Sequence, residues 1–163
     1  MTIKYITGDL FRHTATQSGK SVILAHACNT GGSWGGGIAA VFRTKFPQAN
    51  SEYANYCHNN SNLLGKTLLL RADDFKESRV YIANLFTSDF NQSPEQIACY
   101  THESLEDLAA QLKDIDDVEV HGDKKVVNMP KINAGIFGVP WELTEAELEK
   151  VKELDFNVYV LDT

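Results

Sequence analysis

Residues 22 to 28 read Val-Ile-Leu-Ala-His-Ala-Cys, and in the next ten, Asn29 to Ile38, five residues are glycine. A nearly unbroken apolar run of this length suits a strand buried on both faces, as in a parallel sheet covered by helices. Beyond the glycines, Ile38, Val41, Phe42 and Phe46 recur at three- and four-residue spacing, which predicts a helix starting at Gly37 and stopped by Pro47. Strand, glycine loop and helix in that order limit the chain to an α/β architecture.

The alternation continues. Ile3 to Ile6 reads as a strand ending at Gly8-Asp9, and Leu64 to Leu70 and Val80 to Phe86 read as strands parted by a polar turn at Asp73-Asp74 and Lys76 to Ser78. Pro94 to about Ile115 is an amphipathic helix with Ile97, Tyr100, Leu105, Leu108 and Leu112 on its apolar side. Asp114 to Asp123 is a charged loop, Val126 to Met129 a buried strand, Trp141 to Leu154 a helix and Phe156 to Leu161 a closing strand. Thr144 and Glu147 read either as an internal capping box or as two polar surface residues. With 163 residues and no repeat or linker, a single domain over residues 1 to 163 is expected.

Composition excludes several classes. A chain 43% hydrophobic and 23% charged is not wholly disordered. Three cysteines without CxxC spacing argue against a disulfide scaffold or a zinc module, so no metal is expected. No segment approaches the ~20 apolar residues of a membrane span, and the start lacks a long apolar run. An intracellular protein, cytoplasmic or nuclear, is expected, so the Asn-x-Ser matches at Asn59 and Asn91 are read as chance. The net charge of −7 argues against nucleic-acid binding. Yet residues 1 to 71 carry seven Lys or Arg against only Asp9 and Glu52. That segment, which holds the glycine run, suits a small anionic ligand.

In parallel sheets ligands bind beyond the carboxyl ends of the strands. Two glycine-containing loops follow predicted strands: Asn29 to Ile38, and Asn133-Ala134-Gly135-Ile136-Phe137-Gly138. Residues without a Cβ let backbone N–H groups approach a phosphate, and a helix N-terminus adds favourable potential. Trp34 has little reason to stand in a merely flexible loop, and Phe137 is placed to cover a sugar or base. Ser18-Gly19-Lys20-Ser21 is no P-loop, because position 14 is Thr and a strand follows. His26, at the mouth of the first loop, is either a satisfied core residue or a general base. Cys28 is either a small buried apolar residue or a nucleophile sharing its strand face with His26. His13, His58, His102 and His121 are expected at the surface.

Gly8-Asp9-Leu10 after the first strand, Asn29 followed by Gly35-Gly36-Gly37-Ile38-Ala39, and Asn133 to Gly138 together resemble a macrodomain. The resemblance spans nearly the whole chain. It implies a three-layer α/β fold, with a mixed, largely parallel sheet flanked by helices, that binds ADP-ribose. The runs HACN, GSWGGGIA, NLLGK, LFTS and MPKINAGIFGVPW are most similar to the fungal branch that removes phosphate from ADP-ribose 1″-phosphate, a by-product of tRNA splicing.

Carried over residue by residue, the resemblance implies that Asp9, flanked by Gly8 and Leu10, meets the adenine amino group. Gly35, Gly36, Gly37 and Ile38 wrap the diphosphate from one side, with Ala27, Cys28, Trp34 and Ala39 beside them. Ala134, Gly135, Ile136, Phe137 and Gly138 close from the other side after Asn133, with Phe137 against the distal ribose. Asn29 meets the distal ribose hydroxyls, and Asn29 and His26 are the expected catalytic pair. His26 stands where many members carry another Asn. A related branch that removes ADP-ribose from proteins uses a Lys nucleophile and an Asp in the second loop, and no carboxylate lies beside Phe137 here. The expected activity is metal- and cofactor-free phosphomonoester hydrolysis by a monomer. The rivals are a non-catalytic reader of free or protein-linked ADP-ribose and a hydrolase of other derivatives such as O-acyl-ADP-ribose.

Overall fold

The computed structural model describes residues 3–15, 17, 19–75 and 78–161. Its strands are β1 (Ile3–Thr7), β2 (Val22–Asn29), β3 (Thr67–Phe75), β4 (Ser78–Ser88), β5 (Val120–His121), β6 (Lys124–Met129) and β7 (Leu154–Val160). The helices are α1 (Gly37–Lys45), α2 (Pro47–Asn59), α3 (Pro94–Leu112) and α4 (Trp141–Lys150). The strands form one sheet in the order β1-β7-β6-β2-β4-β3, with β5 paired to β6. Pairings from β1 across to β4 are all parallel, while β3 and β5 run antiparallel to their neighbours. The mixed, largely parallel sheet is as expected.

β2 shows why its apolar run barely alternates. Val22, Leu24 and Cys28 join the core under α1 and α2, with Phe42, Tyr53 and Phe86. Ile23 and Ala25 face the opposite core, with Leu105, Leu108 and Leu148 from α3 and α4. Burial of both faces demands apolar side chains in both directions, and three layers follow.

Several expectations need correction. Pro47 ends α1 but also begins α2, where it sits in the first turn and its missing N–H costs nothing. α2 was not foreseen, because only Ala49, Tyr53 and Cys57 are buried along its otherwise polar length. Asp73 and Asp74 belong to β3 rather than to a turn, and residues 76 and 77 of the expected turn lie outside the described residues. The loop expected from Asp114 to Asp123 contains β5. α3 stops at Leu112 and α4 at Lys150, each shorter than the apolar periodicity implied. Thr144 is neither cap nor surface: it is fully buried and accepts a hydrogen bond from Asn133. His13 is not a surface residue either, since it lies between the Tyr159 hydroxyl at 2.6 Å and the buried Glu119 carboxylate at 2.8 Å.

Phe42 anchors α1 to the sheet. It is fully buried, stacks on the His26 ring with centroids 4.1 Å apart and meets Phe11 edge-on at 4.9 Å. Phe42→Ala is expected to cost about 3–5 kcal/mol, the usual result of deleting a buried aromatic ring. Urea denaturation measures it, and a loss below about 1 kcal/mol would show that α1 is held by something else.

Candidate ligand cleft

The carboxyl ends of β2, β4 and β6 lie along one edge of the parallel sheet, and the loops leaving them bound a cleft of about 460 Å³. The first loop contributes Asn29, Trp34, Gly35, Gly36, Gly37 and Ile38, with Ala27, Cys28 and Ala39 from the flanking strand and helix. The second contributes Asn133, Gly135, Ile136 and Phe137. The structure thus brings most of the expected site residues together.

Asn29 staples the first loop. Its Oδ1 accepts from Gly31 N at 2.9 Å and Ser33 N at 3.4 Å, and its Nδ2 donates to Ser33 O at 2.7 Å. The Tyr53 hydroxyl donates to the Asn29 carbonyl at 2.6 Å, tying the loop to α2. Trp34, stacked on Tyr53 with centroids 5.1 Å apart, seals the floor. The first turn of α1 then faces the cleft, and the N–H groups of Gly36, Gly37, Ile38 and Ala39 find no acceptor among the described residues. Such orphan donors at a helix start favour an anion.

The second loop is held by Asn133, whose side chain points away from the cleft. Its Oδ1 accepts from Thr87 at 2.8 Å, and its Nδ2 donates to Thr101 at 2.9 Å and Thr144 at 3.3 Å. Asn133 has φ of +67°, a conformation Asn tolerates better than most residues. The N–H groups of Gly135, Ile136 and Phe137 have no acceptor among the described residues. Across the cleft, Ile136 leans on the first loop: a Cβ built on Gly36 would meet Ile136 Cδ1 at 2.9 Å. Gly36 is not required for backbone freedom, because its φ of −148° is ordinary extended backbone, and a Cβ there would displace the flexible end of Ile136.

His26 does not reach this surface. It is fully buried behind the floor, stacked on Phe42 and edge-on to Trp34 at 5.0 Å. Its Nε2 lies 2.9 Å from Asn84 Oδ1, and Asn84 is oriented by donating Nδ2 to Leu68 O at 3.0 Å. An amide oxygen only accepts, so Nε2 carries the proton and the lone pair sits on Nδ1, which has no partner among the described residues. Burial holds the imidazole near pKa 4, below its usual 6.5. A ring so placed meets no water in the cleft. Cys28 does line the cleft, but burial pushes its thiol well above the ordinary range, against a nucleophilic role.

Gly8, Asp9, Leu10, Ala134 and Gly138 are not among the residues lining the cleft. Asp9 is exposed, and its Oδ1 accepts from Phe11 N at 3.0 Å, capping a short 3-10 turn, Leu10–Arg12. Sequence reasoning missed Phe90 and Lys131, which do line it. Phe90 follows β4, another parallel strand ending at the same edge, and that position was the available signal. The Gly-x-Ser-x-Gly of a nucleophile elbow, taken as absent on reading the sequence, is in fact spelled by Gly31-Gly32-Ser33-Trp34-Gly35. No described histidine hydrogen-bonds the Ser33 hydroxyl, so the base an elbow requires is missing there.

With this geometry in hand, the chain can be placed: a model of the Macro domain matches residues 25–148, and the protein belongs to that family. A protein of Lodderomyces elongisporus named ADP-ribose 1″-phosphate phosphatase is 67% identical over 162 residues, covering 99% of this chain and 100% of its own. Its namesake in Candida albicans is 60% identical over 98% of this chain and 99% of its own, and one in Saccharomyces cerevisiae is 34% identical over 98% of each. Among solved structures, the macrodomain of Mycobacterium tuberculosis DarG superposes with a TM-score of 0.72 at 21% identity, covering 96% of both chains.

The buried imidazole makes stability depend on pH. The unfolded chain takes up a proton near pH 6.5, whereas the folded protein resists it until about pH 4. The stabilisation is therefore complete above about pH 6.5 and is lost as the pH falls towards 4, by about 3 kcal/mol in all. Urea midpoints of wild type and His26→Gln across that window check this. Equal pH slopes in the two proteins would mean that His26 titrates normally.

Proposed function

We propose that this protein hydrolyses ADP-ribose 1″-phosphate to ADP-ribose and inorganic phosphate. The observation that carries the reading is the pair of loops presenting unpaired N–H groups from opposite sides of one cleft, together with full-length relatives that bear that activity as their name. From β1 to β4 the sheet crosses four strand spacings, or about 19 Å, so a nucleoside diphosphate sugar lies naturally across the strand ends. Adenine then falls towards Asp9, whose second carboxylate oxygen accepts no hydrogen bond among the described residues and is placed to accept from the amino group. The diphosphate lies between Gly36–Ile38 and Gly135–Phe137. The distal ribose and its 1″-phosphate reach Asn29, whose amide nitrogen makes one donation among the described residues, to Ser33 O, and has a second hydrogen for them.

In the reaction, water forms a new bond to phosphorus, the bond from phosphorus to the C1″ oxygen breaks, and that oxygen leaves as a hydroxyl. Among the described residues lining the cleft there is no Asp, Glu or His, and the Cys28 thiol holds its proton. The water's proton accordingly passes through the phosphate dianion itself. The protein contributes positioning and oriented dipoles, which suffice for a loose phosphoryl-transfer transition state. His26 is a positioning residue under Trp34 in this scheme, not the base. The ligand is a free small molecule, handled by a monomer in the cytoplasm or nucleus. The net charge of −7 supports excluding nucleic acid as a partner. One observation favours a second reading, a reader of free or protein-linked ADP-ribose: the same lack of a base in the cleft.

Metal-free protein is expected to release one phosphate for each ADP-ribose formed from ADP-ribose 1″-phosphate, followed by phosphate assay and chromatography. Binding of ADP-ribose without release would establish the reader instead. Gly36→Val is expected to abolish ADP-ribose binding in calorimetry while lowering the melting temperature only slightly. The added branch fills the diphosphate's space, and the exposed end of Ile136 swings aside to spare the fold. Unfolding of the variant, or normal binding by it, would remove the first loop from the phosphate site.

A further inference from the structure

Phe90 is the least economical residue on the cleft rim. Its φ is +76°, a region that bulky side chains avoid and that Gly would occupy freely. Its ring is also 65% exposed, so burial returns little for the strain. A local cage of hydrogen bonds maintains the conformation. The buried Ser88 Oγ accepts from Phe90 N at 2.9 Å, Gln92 Oε1 accepts from Asp89 N at 2.8 Å, and Gln92 Nε2 donates to Asp89 Oδ1 at 2.7 Å. Strain at an exposed aromatic residue, over-determined by its surroundings, marks a place where something other than stability sets the residue.

The ring meets Phe137 edge-to-face, with centroids 5.6 Å apart and planes at 73°. Phe137 comes from the loop after β6 and Phe90 from the loop after β4, strands on either side of β2, so the pair bridges the cleft at the carboxyl end of β2. On the reading above, that end holds the distal ribose and whatever is attached at C1″.

We propose that Phe90 is a specificity-determining residue: with Phe137 it forms an aromatic jaw that admits a compact 1″ substituent such as phosphate and refuses an ADP-ribosylated polypeptide. The proposal rests on the cleft taking ADP-ribose derivatives. Rings in contact narrow the cleft there, which suits a compact phosphate and hinders a peptide continuing beyond the ribose. The strained backbone aims the Phe90 ring across the cleft, where a relaxed conformation would turn it outward.

The test compares wild type with Phe90→Gly and Phe90→Ala in three assays: melting temperature, phosphate release from ADP-ribose 1″-phosphate, and binding of a peptide carrying one ADP-ribose through a 1″ ester. Phe90→Gly relieves the strain, so its melting temperature is expected to equal or exceed that of wild type. Its KM for ADP-ribose 1″-phosphate is expected to rise about tenfold, the scale of one lost aromatic contact. Peptide binding is expected to strengthen by about tenfold or more as the jaw opens. Phe90→Ala is expected to open the jaw equally without the gain in melting temperature. Unchanged KM and peptide affinity in both variants would overturn the proposal, as would a lowered melting temperature in Phe90→Gly with equal loss for all ligands. Wild-type protein that binds ADP-ribose but never releases phosphate sinks the phosphatase reading alone, because the peptide assay still decides the jaw. Wild-type protein that binds no ADP-ribose overturns both.

Discussion

The floor of the cleft rests on an imidazole shut away from water. His26 lies flat on Phe42 and edge-on to Trp34, and its burial disfavours the charged form. Trp34 in turn stacks on Tyr53, whose hydroxyl holds the carbonyl of Asn29. The order runs from sheet to aromatic stack to loop. The first loop keeps its shape because the layer beneath it is packed, not because its own residues are stiff.

On the proposed reading, that arrangement lets an acidic protein take an anion. The attraction then comes from main-chain N–H groups at the start of α1 and in the loop after β6, with Lys131 the one Lys or Arg among the described residues lining the cleft. Two asparagines release those donors for a ligand by different means. Asn29 satisfies the loop's other polar groups from within, while Asn133 anchors the opposite loop to β4, α3 and α4 through three threonine hydroxyls. Dipoles aimed by a rigid frame need no reorganisation when a charged ligand arrives, which net charge alone would not provide.

Much of this was legible in the sequence. β2 announced itself because a strand covered on both faces must be apolar in both directions, and the glycine loops were visible because closely approached backbone excludes side chains. α2 was hidden, since three buried residues in thirteen leave no strong stripe. Asn133 was read as part of a ligand loop, yet its side chain serves packing; a polar residue's direction depends on the threonines that the fold brings to it from β4, α3 and α4. His26 was left open between core residue and base for the same reason, as spacing located it beside the loop but could not reveal Phe42 and Trp34 closing over it. Phe90 was missed because its conformation, not its residue type, makes it unusual.

The contact between Ile136 and Gly36 bears on time as well as affinity. An exposed isoleucine already spans the gap between the two loops before anything is bound. On the proposed reading, a diphosphate entering that gap displaces the side chain and is then covered by its return. Rotamer changes of exposed side chains take nanoseconds or less, so this movement is no barrier to entry. Departure would differ, because the returned side chain would add apolar contact over a ligand held by backbone donors on both sides. On that reading the apolar bridge is a latch, lengthening residence without slowing arrival.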